Sequence, residues 1–320
     1  EGFIFLILTL FNIREIIINN IPKVLKEAIP IGIGLFITLI GLKSAGIVTG
    51  NQFTFVQLGN MADPNVWIAL VGLVVIAVLL SRNIHGAILI GILVSTIFAI
   101  FLGKVEVPEG SLVSLPPSIA PIFVKFEWAH VFTFDMLIVV FTFLIVNLFD
   151  SMGTLIGVIS KIGKTDEDGN FPQIQKALFA DALGTIAGAL LGTSPNTAYV
   201  ESASGVAAGG RTGLTSVSTS VMFLLALFFA PIFLMVPAAA TAPALIIIGL
   251  FMMSSVGKID FSDISSGLPA FITIIFMPFT YSIAQGVIFG MLSFTIIKLF
   301  SGKTKDISVT MYILAIFFLI

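Results

Sequence analysis

The chain is a succession of long apolar runs broken by short polar stretches, a pattern incompatible with a water-soluble globule. The runs lie at 3–13, 29–47, 66–81, 85–102, 134–160, 175–192, 213–233, 237–256, 267–280 and 282–300, each bounded by proline, glycine or a cluster of charges. A soluble domain carries about a quarter charged residues, whereas here 10% are charged and 58% are hydrophobic. At about twenty residues per crossing, a chain of 320 residues accommodates on the order of ten membrane segments. Lipid offers no partner to a backbone N–H or C=O, so those segments must be helical. The expected fold class is an all-α polytopic membrane protein. Two stretches depart from the pattern. Residues 199–210 are a short run of small residues, and the last run, MYILAIFFLI, is too short to span comfortably and reads as interfacial or cut off.

Composition also removes function classes. A formal net charge of −2 offers nothing to a polyanion, so nucleic acid is not an expected partner. Cysteine is absent and the only histidines are His85 and His130, which leaves no material for a disulfide framework, a Cys/His metal site or a thiol nucleophile. No metal or other cofactor is expected. Gly157, Gly163, Lys164 and Thr165 imitate a phosphate-binding loop, but the spacing is one residue too long and no strand precedes it. Glu1 leads directly into apolar residues without a basic leader or cleavage site, and the start reads as truncated.

Lys and Arg can be placed on alternate sides after each crossing, with 199–210 returning the chain. One side then collects Arg14, Lys23, Lys26, Arg82, Lys161, Lys164, Lys176, Arg211, Lys258, Lys298, Lys303 and Lys305, and the other only Lys43, Lys104 and Lys125. Twelve against three marks the first side as cytoplasmic and puts residues 103–133, with Glu106, Glu109 and Glu127, outside.

A carboxylate in hydrocarbon is costly enough to be a functional candidate. Asp150 sits mid-run in LIVNLFDSMGTLIGV, and Glu201 lies in LLGTSPNTAYVESASGVAAGG, whose composition suits neither a spanning helix nor a solvent loop. In that second stretch Gly192 and Pro195 break the preceding helix, Thr197 to Val200 favour extended backbone, and Glu201 to Gly210 suffice for half a crossing. A short strand feeding a half-helix over 199–210 is expected, with N–H groups from Val200 to Ala203 freed for a polar or partly anionic ligand atom. Broken helices of this kind build transporter substrate sites. Asp181, about a turn from Lys176, is given a structural or interfacial role. Asp135 and Lys43 are expected to reach the headgroups, and His85, beside Arg82, to be solvated. Gly153 and Gly157, then Gly184, Gly188 and Gly192, recur every four residues and predict close helix approach.

The segments LFDSMGTLIGV and GTSPNTAYVESASGVAAGGRTGLT resemble the AzgA-like branch of the nucleobase–cation symporter 2, or xanthine/uracil permease, family, which comprises adenine, guanine and hypoxanthine permeases. VPAAATAPALIIIGLFMMSSV and PAFITIIFMPFTYSIAQG resemble the same family, so the similarity runs through essentially the whole chain. The resemblance implies an inverted-repeat transporter fold, seven segments plus seven, divided between a core domain and a gate domain. On that plan residues 1–13 end a core helix of the first repeat and 28–102 form its gate helices. Residues 103–133 are an extracellular loop, 134–233 the core helices of the second repeat with half-helix 199–210, 234–300 its gate helices, and 301–320 a C-terminal tail.

The resemblance further implies that Asp150 holds the position of the core acid on segment eight and Glu201 that on the half-helical segment ten. Thr154, Tyr199 and Val200 would line the same pocket, supported by Asn147, Ser194, Asn196 and Thr197. The first three segments are expected to precede Glu1, and without them a gap beside the half-helix and poor stability are expected. Asn147 stands where family members often carry an acid, a departure that bears on substrate preference and proton stoichiometry.

The expected function is that of a secondary transporter, not an enzyme. It would import a purine base (guanine, hypoxanthine or adenine) with a proton across the cytoplasmic, inner membrane. The partners are the purine, the proton and lipid, with a homodimer left open. The two acceptor oxygens of a carboxylate match adjacent N–H donors on the edge of guanine, the role expected of Glu201. Asp150 would complete recognition or carry the coupling proton, and both acids are candidates for coupling. One alternative is an anion transporter or channel of the related sulfate and bicarbonate group, which two acids in the pocket disfavour. Another is a membrane enzyme using Asp150 and Glu201 as an acid–base pair, for which the chain supplies no nucleophile or metal set.

Overall fold

The computed structural model describes residues 1–105, 111–126, 133–163 and 171–319. Glu106, Glu109, Glu127, His130, Lys164 and Thr165, with the side chain of Asp135, lie outside the described residues. The elements in chain order are α1 (Gly2–Leu10), α2 (Ile13–Asn20), α3 (Lys23–Ser44), β1 (Val48–Asn51), β2 (Phe55–Leu58), α4 (Pro64–Ser81), α5 (Ala87–Phe101) and α6 (Phe134–Ile162). They continue with α7 (Ile174–Leu190), α8 (Ser202–Ala207), α9 (Gly213–Ala226), α10 (Ala230–Leu234), α11 (Ala238–Met252), α12 (Ile264–Thr280), α13 (Ile283–Phe300) and α14 (Val309–Leu319). Among the described residues five helices are long and apolar enough to cross a membrane, or six if the bent pair α1–α2 is one span, and four shorter apolar helices accompany them. The chain is a multi-pass membrane protein.

Two compact units divide the chain: Glu1–Leu35, Ser118–Ala203 and Met252–Ile320 form one, and Phe36–Pro117 with Ser204–Phe251 the other. In the first unit α1 and α2 meet at a 75° bend, where Asn12 takes a left-handed φ of 60°. Asparagine tolerates that conformation better than a branched residue would. The unit's small residues permit close packing. A Cβ on Gly2 of α1 would lie 2.8 Å from Ile186 Cγ1 of α7, and one on Gly153 of α6 would lie 2.8 Å from Ile283 Cγ2 of α13. One on Gly157 would lie 2.7 Å from Met252 Cε, with Ile33 and Pro30 of α3 close by. An inner cluster of Ala28, Ile31, Ile259, Ala270 and Ile274 holds α3 to α12. The corner between α12 and α13 is made by Tyr281, with φ 57°, and by Ser282, whose hydroxyl caps α13 by accepting from Gln285 N–H. On α14, Phe318 meets Phe149 of α6 edge to face at 5.2 Å.

The second unit contains the end of α3, the hairpin, α4, α5 and α9 to α11. Its buried apolar residues are Ile68, Ala99, Ala239 and Ala240, with Ala45, Ala69 and Ala242 beside them. Asp63 starts α4 by accepting from Asn65 N–H, with Pro64 in the first turn. Every residue of α9 except Ala226 is exposed, including Leu214, Val217, Val221, Met222 and Phe223, a surface suited to hydrocarbon.

The predicted runs correspond to helices, with five differences. Run 3–13 ends early and turns through the Asn12 bend, and run 213–233 breaks into α9 and α10. The pairs Val48↔Leu58, Thr49↔Gln57, Gly50↔Val56 and Asn51↔Phe55 make an unforeseen antiparallel hairpin, whose turn is tied by Asn51 Oδ1 accepting from Phe53 and Thr54 N–H. The half-helix is six residues, Ser202–Ala207, instead of 199–210, because Gly209 at φ 105° and Gly210 end it. Finally, the strand expected over Thr197 to Val200 is absent: β1 and β2 are the paired strands among the described residues, and 195–199 is irregular backbone.

Candidate functional site

The site residues named from sequence all fall in the first unit. Asp150 lies in the middle of α6, half-buried, and its Oδ1 accepts from Ala284 N–H at 2.9 Å. Ala284 is in the first turn of α13, so the carboxylate takes up one of the orphan donors of that helix end and its charge faces the positive end of the dipole. One turn further along, Thr154 is buried; one turn back, Asn147 donates from Nδ2 to Glu1 Oε1 at 2.6 Å. Asn147, where the resemblance implied an acid, is thus an amide bound to the carboxylate of Glu1.

The broken segment folds back onto α7. Thr185 Oγ1 lies 3.1 Å from both Asp181 O and Asn196 O. A Cβ on Gly188 would sit 2.9 Å from Thr193 Oγ1 and 3.5 Å from Ser194 O, and one on Gly184 would sit 3.5 Å from Asn196 Nδ2. The small-residue ridge of α7 therefore admits this loop, where the spacing alone suggested a neighbouring helix. Gly192 takes φ 81°, and a Cβ there would lie 2.8 Å from Ile122 Cβ. Ser194 and Asn196 are exposed, Thr197 is half-buried, Tyr199 is exposed and Val200 is buried. Ser202 N–H donates to Tyr199 O at 3.2 Å and Ala203 N–H to Val200 O at 2.9 Å. Two of the N–H groups expected to be free for a ligand are thereby used in the turn that starts α8. Glu201, immediately before that turn, is exposed.

Asp181 forms a buried ion pair with Arg14, Nη2 to Oδ2 at 2.8 Å. The guanidinium also donates from Nη1 to Leu178 O at 3.3 Å and stacks 4.3 Å above the Phe5 ring. Ser151 Oγ, next to Asp150, lies 3.3 Å from Asp181 Oδ1. Arg14, Lys26 and Lys298, counted among the cytoplasmic charges, are buried in the protein. Arg14 and Asp181 each carried a signal, as ionisable residues of opposite sign close to apolar runs, but none that paired them. Ser151 and Thr185 carried none.

Residues 1–289 match the model of a permease family, the xanthine/uracil permeases. A permease of Methanocaldococcus jannaschii is 47% identical over 99% of this chain and 73% of its own length. The adenine permease AdeP of Escherichia coli is 43% identical over 98% of this chain and 70% of its own length. The guanine/hypoxanthine permease PbuG of Bacillus subtilis is 42% identical over 100% of this chain and 73% of its own length. Identity at this level along a multi-pass helical chain leaves transport, not catalysis, as its class of activity, and the chain belongs to the xanthine/uracil permease family, in its purine permease branch.

Proposed function

We propose that the chain moves purine nucleobases (guanine, hypoxanthine or adenine) across the cell membrane by proton symport. The observation that carries this is similarity over essentially the whole chain to permeases named for adenine and for guanine/hypoxanthine. Glu201 is the proposed ligand of the base. Its two acceptor oxygens suit the adjacent N–H donors of a purine edge, and α8 is too short for its dipole to take over that task. Asp150 is the proposed proton carrier: one oxygen is engaged by Ala284 N–H, and a carboxylate has a second oxygen that can take a proton or meet the base. Thr154, Tyr199 and Val200 would complete the pocket, with Asn147, Ser194, Asn196 and Thr197 in support. The inverted-repeat plan with core and gate domains is part of the same proposal.

Uptake of labelled guanine, hypoxanthine and adenine into vesicles carrying the protein tests it, with excess sulfate and bicarbonate as competitors. Saturable uptake of unchanged base, indifferent to both anions, is expected. Entry of labelled sulfate without purine uptake would overturn the proposal in favour of anion transport, and chemically altered base inside the vesicles would indicate an enzyme.

A further inference from the structure

One face of α7 touches both elements that carry the proposed site acids. Asp181 accepts from Ser151 of α6, the residue after Asp150. One turn on, Thr185 Oγ1 lies within hydrogen-bond distance of Asn196 O, five residues before Glu201, and Gly188 on the same face receives Thr193. The other oxygen of Asp181 is held by Arg14 from α2, whose guanidinium is fully buried. A buried ion pair adds little net stability over an apolar pair of the same volume, and breaking it by removing one partner is severe. This pair is not even fully satisfied, since Arg14 Nε has no hydrogen-bond partner among the described residues. What it does supply is direction. A guanidinium stacked on Phe5 and bonded to Leu178 O holds Oδ2 of Asp181, which leaves Oδ1 to meet Ser151.

We propose that the Arg14–Asp181 ion pair is a positioning device: it fixes α7 as a strut that sets α6 through Ser151 and the broken segment through Thr185, and so holds Asp150 and Glu201 in place for the base. This rests on the purine-transport reading above. Arg14, Asp181, Ser151 and Thr185 touch no substrate in this scheme. They act on affinity by fixing the places of the two acids, and a displacement of about 1 Å in a binding constellation can cost a hundredfold.

The test compares KM and Vmax for labelled purine uptake in proteoliposomes with the melting temperature of each variant. Arg14→Met combined with Asp181→Leu replaces the pair by apolar residues of similar size. It should melt at or above the parent temperature, yet show KM raised about tenfold or more. Thr185→Val should raise KM about fivefold or more while the melting temperature falls by only about 1–3 °C, and Thr185→Ser, which keeps the hydroxyl, should restore the parental KM. Ser151→Ala should behave as Thr185→Val does. Parental KM in the double variant and in Thr185→Val would overturn the inference while leaving the purine reading intact. If the double variant fails to fold, Ser151→Ala and Thr185→Val decide, and parental KM in both overturns it. A parent protein that takes up no purine removes the functional reading and this inference with it.

Discussion

Replacing Asp150 by asparagine separates the hydrogen bond of this carboxylate from its charge. Oδ1 of Asp150 accepts Ala284 N–H at 2.9 Å in the first turn of α13. Asparagine keeps an oxygen at that place, so the bond persists in neutral form. A bond to a charged group contributes about 1.5–3 kcal/mol and a neutral one about 0.5–1.5 kcal/mol, and a charge at a helix start adds about 0.3–1 kcal/mol. Asp150→Asn should therefore cost about 1–2 kcal/mol. Alanine removes the acceptor altogether and leaves the N–H unpaired, an extra penalty of about 1–3 kcal/mol. For a chain of this length each kcal/mol lowers the melting temperature by about 2 °C. Asp150→Asn should then melt about 2–4 °C below the parent and Asp150→Ala about 4–10 °C below it. Intrinsic-fluorescence melting of the detergent-solubilised protein measures both shifts. In proteoliposomes Asp150→Asn should bind purine within about threefold of the parent but no longer accumulate it when a pH gradient is imposed. Equal melting temperatures for the two variants would refute the helix-capping role, and gradient-driven accumulation by Asp150→Asn would refute proton carriage by this residue.

Glu201→Gln puts an NH₂ donor where a base donor must be met, so purine affinity in a binding titration should fall about tenfold to a hundredfold or more. Arg14→Ala leaves the Asp181 carboxylate buried and unpaired, which should cost about 3–5 kcal/mol and show as poor yield and a depressed melting temperature. Gly192→Ala forces a side chain into φ 81° with its Cβ 2.8 Å from Ile122 Cβ, and should destabilise the protein by about 1–3 kcal/mol in the same melting assay. Asp263, which caps α12 from the loop before it, is held down to about 2 by the Ser265 and Ser266 hydroxyls, against an ordinary value of 3.8. Its folded value lies below its unfolded one, so its contribution is complete above about pH 4 and is lost as pH falls toward 2. Asp263→Ala should flatten that acid limb of the stability curve and lower stability evenly across about pH 5–8, with no change of slope there.

Long helices were legible because a spanning helix is written in one dimension: an apolar run of sufficient length has few other structures open to it in lipid. Breaks at Gly192 and Pro195 were legible for a similar reason, since backbone conformation there is set by the residue itself, whereas the half-helix expected to reach Gly210 stops at Ala207, before Gly209. Pairing was not. Thr197 to Val200 have the composition of a strand but meet no partner strand, whereas Val48 to Leu58 close on themselves through the Asn51 turn. The spacing of Gly184 and Gly188 announced a close approach and was read as one between helices, whereas the loop 193–196 fills it. Asp150 and Glu201 stood out because carboxylates are expensive in lipid. That Asp150 would face the start of α13, or that Asp181 would bridge Arg14 and Ser151, depends on contacts between residues 134, 167 and 30 positions apart, which no local pattern encodes.

Accumulation of labelled purine by proteoliposomes under an imposed pH gradient tests the central claim most directly. With a more acidic exterior, the parent protein should concentrate guanine, hypoxanthine or adenine inside above the outside level. A protonophore should collapse that accumulation to equilibrium, and Glu201→Gln should abolish entry altogether. Purine entry no faster than into protein-free liposomes, or entry that never exceeds equilibrium whatever the gradient, would contradict the account.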